Sequence, residues 1–248
     1  MLLVLLLSVF YRSTAWRLKL ATKNRIGRPR AVPLLDDSLE PREEIMLVAA
    51  RLFTSVGFRS ASTRQIAAEA GLRQASLFHY FEKKDDIFAE LLDRLVQPAL
   101  DFARRLSELD PPPAPGLYLL VFRDVRNLCR EPGNLGLLQL QLEARSPQFS
   151  GYWEKRMRLR DAYRRMIESG ASSGAFAAED SDLATSITFG LVESVAMWFS
   201  YDLPQPRCEV WRSVADRAIQ SLLRDVGDLE MVRKEASQLS HQLDQTYR

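Results

Sequence analysis

From Leu117 onward the chain places apolar residues three and four positions apart, and nowhere does it sustain an alternation of two. That period gathers the apolar side chains on one stripe of a helix, and such stripes are buried against other helices. The fold class is therefore all-α. The pattern breaks at Pro132-Gly133, at Pro147, between Gly170 and Gly174, and at Pro204 and Pro206, where proline removes an amide donor and glycine loosens the backbone. These breaks predict helices over about 117–130, 134–144, 150–170, 181–200 and 207–226. The stretch Asp110 to Gly116, with three consecutive prolines, reads as a linker in front of them.

Upstream of that linker the same period appears in shorter pieces. Ile45, Val48, Ala49, Leu52 and Phe53 form a core stripe on a helix predicted over Arg42 to Val56. Pro41 falls in its first turn, Glu43 and Glu44 suit its positive end, and Gly57 stops it. The next stretch, Ser62 to Lys84, reads STRQIAAEAGLRQASLFHYFEKK. Ser62 or Thr63 caps a short helix bearing Ile66, Ala67 and Ala70, and Gly71 ends it; a second helix, predicted over Arg73 to Tyr80, carries Leu77, with Phe81 one turn on. Helix, glycine turn, helix is the layout of a helix-turn-helix, whose second helix enters the DNA major groove while the first crosses the backbone. A long amphipathic helix follows from Lys84 to Leu106, with Ile87, Phe88, Leu91, Leu92, Leu95 and Val96 on its apolar side.

Over about residues 42–95 this arrangement, with Leu77-Phe78-His79-Tyr80-Phe81 running through a polar link into Lys84, resembles the TetR family of one-component transcriptional regulators. The phrase from Tyr163 to Phe199 is similar to the end of the ligand-domain core helix and the first dimerisation helix of that family. The resemblance implies an N-terminal helix-turn-helix DNA-binding head over 39–84 and a helical regulatory and dimerisation domain over 85–226. Residues 1–38 form a basic extension and 227–248 a helical tail.

Leu77 and Phe81 facing inward turn Gln74, Ala75, Ser76 and His79 outward. Gln can pair with adenine, Ser bonds several base edges, and Ala touches a thymine methyl. The resemblance implies base contacts at these positions and at Arg64, and phosphate contacts at Tyr80 and Lys84. Thr63 either meets a phosphate through its hydroxyl and amide or serves as a cap alone. Phe78 stands where the family usually has Tyr, so a hydroxyl bond is absent there. Ahead of the head lies Gly27-Arg28-Pro29-Arg30. Arg28 and Arg30 read either as an arm for the narrow minor groove or as part of a solubilising tail.

Charge supports that placement. The net charge of +2 is uneven, since residues 1–35 hold seven Lys or Arg and no acid, leaving the remainder slightly acidic. Two cysteines, Cys129 and Cys208, exclude a disulfide framework and a Cys-rich zinc site, and they fit a reducing compartment as buried thiols or a redox pair. Two histidines, His79 and His241, cannot build a His-rich metal site or a Ser-His-Asp arrangement. No GxGxxG, P-loop or HExxH spacing occurs. The chain reads as a non-enzyme with no cofactor and no metal. Leu2 to Phe10 is apolar but shorter than the ~20 residues a bilayer span needs, and basic residues follow it rather than precede it. Residues 1–24 read as an upstream extension of the working protein, or as a membrane anchor.

In the body, Leu183 to Phe199 is apolar nearly all round, with Ile187, Leu191, Val195 and Trp198 on one side and Val192, Ala196 and Phe199 on another. Cys208 to Leu223 adds Trp211, Val214, Ala215, Ala218 and Leu222. With their two-fold mates these stripes would make a four-helix homodimer interface. Tyr118, Phe122, Trp153, Met157, Met166, Phe189 and Met197 either line an inducer cavity or form ordinary core, with Glu193 as the polar contact. The tail sets Leu229, Val232, Ala236, Leu239 and Leu243 on a short heptad stripe that pairs with another tail or docks on its own body. The reading is a cytoplasmic homodimeric repressor, released from a palindromic double-stranded DNA operator by a hydrophobic small-molecule inducer, with the helix from Lys84 as lever. An activator of the same fold, a membrane-tethered regulator and an all-α enzyme are the rivals.

Overall fold

The computed structural model describes residues 40–129, 135–199 and 206–246; the basic extension, the Arg28 and Arg30 arm and the apolar run Leu2 to Phe10 lie outside them. The first three helices are α1 (Pro41–Val56), α2 (Thr63–Glu69) and α3 (Gln74–Leu77). The long α4 (Lys84–Ser107) leads to α5 (Pro113–Leu128). Three 3-10 turns, Leu135–Leu140, Leu142–Arg145 and Pro147–Phe149, precede α6 (Ser150–Ser172). Then come α7 (Ser181–Trp198), α8 (Arg207–Gln220) and α9 (Leu229–Thr246). Apart from one isolated bridge between Phe176 and Leu223, the regular structure among the described residues is helical.

Beyond the head, three stretches differ from the expected boundaries. The prolines of Asp110 to Gly116 are not a linker throughout: α5 begins at Pro113, and Gly116 N donates to Pro112 O at 2.9 Å. Proline costs nothing in a first turn, where its missing amide has no partner in any case. The helix expected over 134–144 is instead the chain of 3-10 turns. Gln141 and Ser146 are extended, with ψ of 140° and 148°, and Pro147 imposes that conformation on the residue before it. The helix expected to reach 226 stops at Gln220, after which Ala177 N donates to Leu222 O at 2.7 Å and Phe176 pairs with Leu223. Gly170 makes that corner possible, because a Cβ there would sit 2.1 Å from the Phe176 ring.

The head packs Ile45, Phe53, Ile66, Leu77, Phe81 and Phe88 into one core. In the body α5 is the central helix: Leu117, Leu120, Val121 and Val125 are fully buried, with α4, α6, α7, α8 and α9 around it. The tail helix α9 docks on its own subunit, burying Leu229, Val232, Ala236, Leu239 and Leu243 against α5 and α8. Arg233 of α9 ties down Asp216 of α8 through two bonds, at 2.9 and 2.6 Å.

Candidate nucleic-acid interface and its link to the body

Ser62 caps α2, its Oγ accepting from Gln65 N at 3.1 Å. The helix closes when Leu72 N donates to Ala67 O at 2.8 Å, which requires the positive φ of 66° that Gly71 supplies. Buried Leu77 and Phe81 then anchor α3 and the turn after it, where Tyr80 N and Phe81 N both return to Leu77 O. The regular part of α3 is one turn, shorter than the span expected from Arg73 to Tyr80.

Anchoring Leu77 fixes what faces out. Arg64, Gln74, Ala75, His79 and Tyr80 are exposed, while Thr63 and Ser76 are partly covered. Gln74 Nε2 donates to Thr63 Oγ1 at 3.0 Å, so α2 and α3 present those two groups joined. Two further residues share the surface. Arg73, the N-cap of α3, is exposed, and Phe78, between Leu77 and His79, is 45% exposed. An apolar ring there suits a thymine methyl. The signal for Phe78 in the sequence was an aromatic residue off the Leu77 and Phe81 stripe.

The Lys84 Nζ donates to Phe58 O at 2.6 Å and Ala61 O at 2.7 Å, and it lies 4.3 Å from the Phe58 ring centroid. Burial lowers its pKa below the ordinary lysine value. The ammonium is held by the carbonyls that follow α1, which makes it a clamp on the α1–α2 turn.

The same turn joins head to body. Gln141, from the 3-10 segment, donates to Phe53 O at 2.6 Å and accepts from Phe58 N at 2.9 Å. Arg59 meets Glu143 at 2.5 Å, and Gln148 donates to Asp85 at 2.6 Å. The rings of Phe58, Phe88 and Phe149 pack tilted and edge-on, at 4.6 and 5.0 Å between centroids. On the other side, Arg94 of α4 bonds Glu43 of α1 through two contacts of 2.6 Å, and Arg42 pairs with Glu90. Head and body thus belong to one compact unit, with Gln141 as the link that no periodicity marks. Gln141→Ala is expected to cost about 1–3 kcal/mol of unfolding free energy, because a part-buried amide and carbonyl lose their partners; urea melts check it.

Of the residues expected to line one cavity, Tyr118 and Phe122 share a cleft beside α9, and Trp153, Met157, Met166 and Met197 do not join them among its described lining residues. Tyr118 donates to Asp216 at 3.1 Å, and its pKa is pushed up to about 12 chiefly by burial. Phe122 packs edge-on against Trp211, Trp153 donates to Ala144 O at 2.7 Å, and Met166 sits by Gly116. Met157 and Met197 are exposed. The spacing shows which faces are apolar, and not which faces meet. Phe189 and Glu193 belong to a different feature, a polar cluster inside the core. Arg156 of α6 is buried, pairs with Glu193 and lies 4.5 Å from the Phe189 ring centroid. Tyr163 donates to buried Asp124 at 2.9 Å, and Tyr152 to Gln139 at 2.7 Å.

The expected dimer stripes divide likewise. Val214, Ala218 and Leu222 are buried within the subunit, and Trp211 packs on Phe122, because α8 spends its apolar side on α5; Val195 of α7 is buried as well. The outward apolar residues are Leu183, Ile187, Met197 and Trp198 of α7, with Leu191 half-buried. No helix among the described residues is long and apolar enough to cross a membrane.

A capped helix, a glycine turn and a second helix held by one buried leucine, on a helical body, define a helix-turn-helix DNA-binding regulator. Residues 45–91 match the family model for bacterial regulatory proteins of the tetR family, and 119–223 match a tetracyclin repressor-like C-terminal domain. The crystal structure of AmtR from Mycobacterium smegmatis is 36% identical, covers 84% of this chain and 98% of its own, and superposes with a TM-score of 0.71. The HTH-type transcriptional repressor KstR2 of Mycolicibacterium smegmatis is 27% identical over 146 residues, 54% of this chain and 67% of that protein. AibR, solved in complex with isovaleryl coenzyme A and operator DNA, shares the fold at 18% identity and a TM-score of 0.59, covering 74% and 98% of the two chains. The chain belongs to the TetR family. It is a DNA-binding transcriptional regulator, from a family of proteins that dimerise and bind small-molecule ligands.

Proposed function

We propose that the protein is a cytoplasmic repressor that holds a palindromic operator as a homodimer and leaves it when a small molecule with an apolar body binds between the body helices. The observation that carries the DNA half is the outward face of Gln74, Ala75 and His79 beside Arg64, fixed by the burial of Leu77 and Phe81. In this reading Arg64, Gln74, Ala75, Ser76 and His79 read bases, with Phe78 against a thymine methyl, while Thr63 and Tyr80 position phosphates and Arg28 and Arg30 reach the minor groove. The release half is supported by the Gln141, Arg59–Glu143 and Phe149 links, through which a shift in the body reaches the α1–α2 turn.

Operator selection followed by anisotropy titration tests this. Gln74→Ala or His79→Ala should relax preference at one or two positions, at about 1–3 kcal/mol each. Arg64→Ala should reduce the slope of log affinity against log salt by up to about 0.9 if its cation also neutralises a phosphate. Lys84→Ala should leave that slope alone and lower stability instead, since its ammonium binds carbonyls. An asymmetric footprint bound by a monomer would sink the palindrome and the contact map together.

A further inference from the structure

Beside α5, the C-terminal half of α4 and the start of α8 leave a cleft of about 670 Å³. That is the size of a small-molecule site, which spans roughly 300–1,000 Å³. Four of its lining residues are arginines, Arg105, Arg123, Arg126 and Arg207, and none of the described lining residues is an acid. Its apolar walls include Phe102 and Trp211. The Arg123 guanidinium lies 5.3 Å from the Phe102 ring centroid, and that of Arg126 lies 5.5 Å from Trp211. Aromatic faces therefore hold two of the cations in place without neutralising them. Arg123 donates to Ser240 at 3.0 Å, and the acid it meets, Asp244, stands 3.9 Å away and mostly in solvent. Burial first, then the neighbouring Arg126 and Arg105, lower the Arg123 pKa. At half-buried Arg123 the like charges of Arg126 and Arg105 oppose its own, a cost that a bound anion would offset.

We propose that this cleft binds a small carboxylate or phosphate carried on an apolar or aromatic body, Arg123 and Arg126 holding the anionic group and Phe102 and Trp211 the rest. Guanidinium groups suit both anions, because their paired N–H donors match two oxygens at once. The inference rests on the reading of the body as ligand-responsive, and it names the ligand class. Occupancy reaches the head through α4: Pro98, Ala99, Phe102 and Arg105 line the cleft, and the same helix carries Arg94, Glu90 and Phe88 against α1 and the α1–α2 turn.

The test is calorimetric titration of the full chain, without DNA, using benzoate, phenyl phosphate, neutral benzyl alcohol and inorganic phosphate. The two aromatic anions should bind and benzyl alcohol should not, with inorganic phosphate weaker than phenyl phosphate. Arg126→Gln should weaken the aromatic anions about tenfold or more, as expected for a lost charged hydrogen bond, while the unliganded melting temperature stays as in the unaltered protein. Arg123→Gln gives a second reading at a residue that also bonds Ser240. Equal binding of the alcohol, equal binding of bare phosphate, no binding by either aromatic anion, or undiminished binding by Arg126→Gln would each overturn the proposal. Operator affinity measured without ligand separates the two claims, since a protein that binds no operator defeats the repressor reading and leaves the titrations to decide the cleft.

Discussion

Alanine in place of Arg156 is expected to lower the free energy of unfolding by about 1–3 kcal/mol, the cost of leaving a buried polar group without its compensation. Arg156 is 4% exposed on α6, and three groups depend on it. It pairs with Glu193 of α7, lies over the Phe189 ring, and acts electrostatically on Asp124 of α5. Glu193 is partly solvated and can return to water. Asp124 cannot, and with Arg156 gone its charge has only the Tyr163 hydroxyl beside it. The deficit should therefore depend on pH. Burial raises the Asp124 pKa above the ordinary value, with Arg156 and the Tyr163 hydrogen bond offsetting part of the rise. A raised folded pKa means that the folded state binds the proton more tightly, so the stability from this group is full below the unfolded pKa of about 3.9 and is lost as pH climbs through the folded one. Removing Arg156 moves the folded pKa further up and widens that window. Urea melts should then show a larger deficit near about pH 8 than near about pH 4, and Asp124→Asn added to Arg156→Ala should recover stability mainly at the higher pH. A deficit independent of pH would mean that Arg156 serves packing alone.

The helix-turn-helix was legible because its logic is local. One leucine and one phenylalanine a turn apart fix the inward face, a glycine at positive φ fixes the turn, and Gln74 and His79 follow as the outward face. The 3-10 segment was not, since six residues at spacing three look like a helix at spacing 3.6. A run of prolines reads equally as linker or first turn, and only the chain around Pro113 decides. Lys84 escaped for a different reason. Its carbonyl partners lie more than twenty residues away, at Phe58 and Ala61, and periodicity carries no information about such pairs. Bulky apolar residues such as Phe122, Trp153 and Met166 are legible as candidates for burial, whereas the face each one meets is set by how the helices pack. The arginines of the cleft carry no signal of their own in the sequence, because a charged residue on a helix ordinarily faces solvent and only the packing of α4 and α8 beside α5 brings Arg105, Arg123, Arg126 and Arg207 together.

Aspartate at Ile187 is expected to give a folded monomer whose affinity for a palindromic operator falls by about a hundredfold to ten-thousandfold, the range that linking two binding modules contributes. Leu183, Ile187, Met197 and Trp198 recur at helical spacing along α7, and Ile187 and Met197 are 59% and 66% exposed. Soluble surfaces seldom leave such an apolar stripe open, so it reads as the face a second copy covers. An acidic residue costs little on this face in the isolated subunit and several kcal/mol once a partner closes over it. The contrast with Val195 and Val214 makes the experiment decisive. Both are buried inside the subunit, so aspartate there should unfold the chain instead of separating two copies. Sedimentation, circular dichroism and anisotropy on whole and half operators distinguish the cases: Ile187→Asp should be helical, monomeric, and no better on the whole palindrome than on one half. A helical, dimeric Ile187→Asp protein with normal operator affinity would place the interface on another surface, with the polar outer side of α8 next in line.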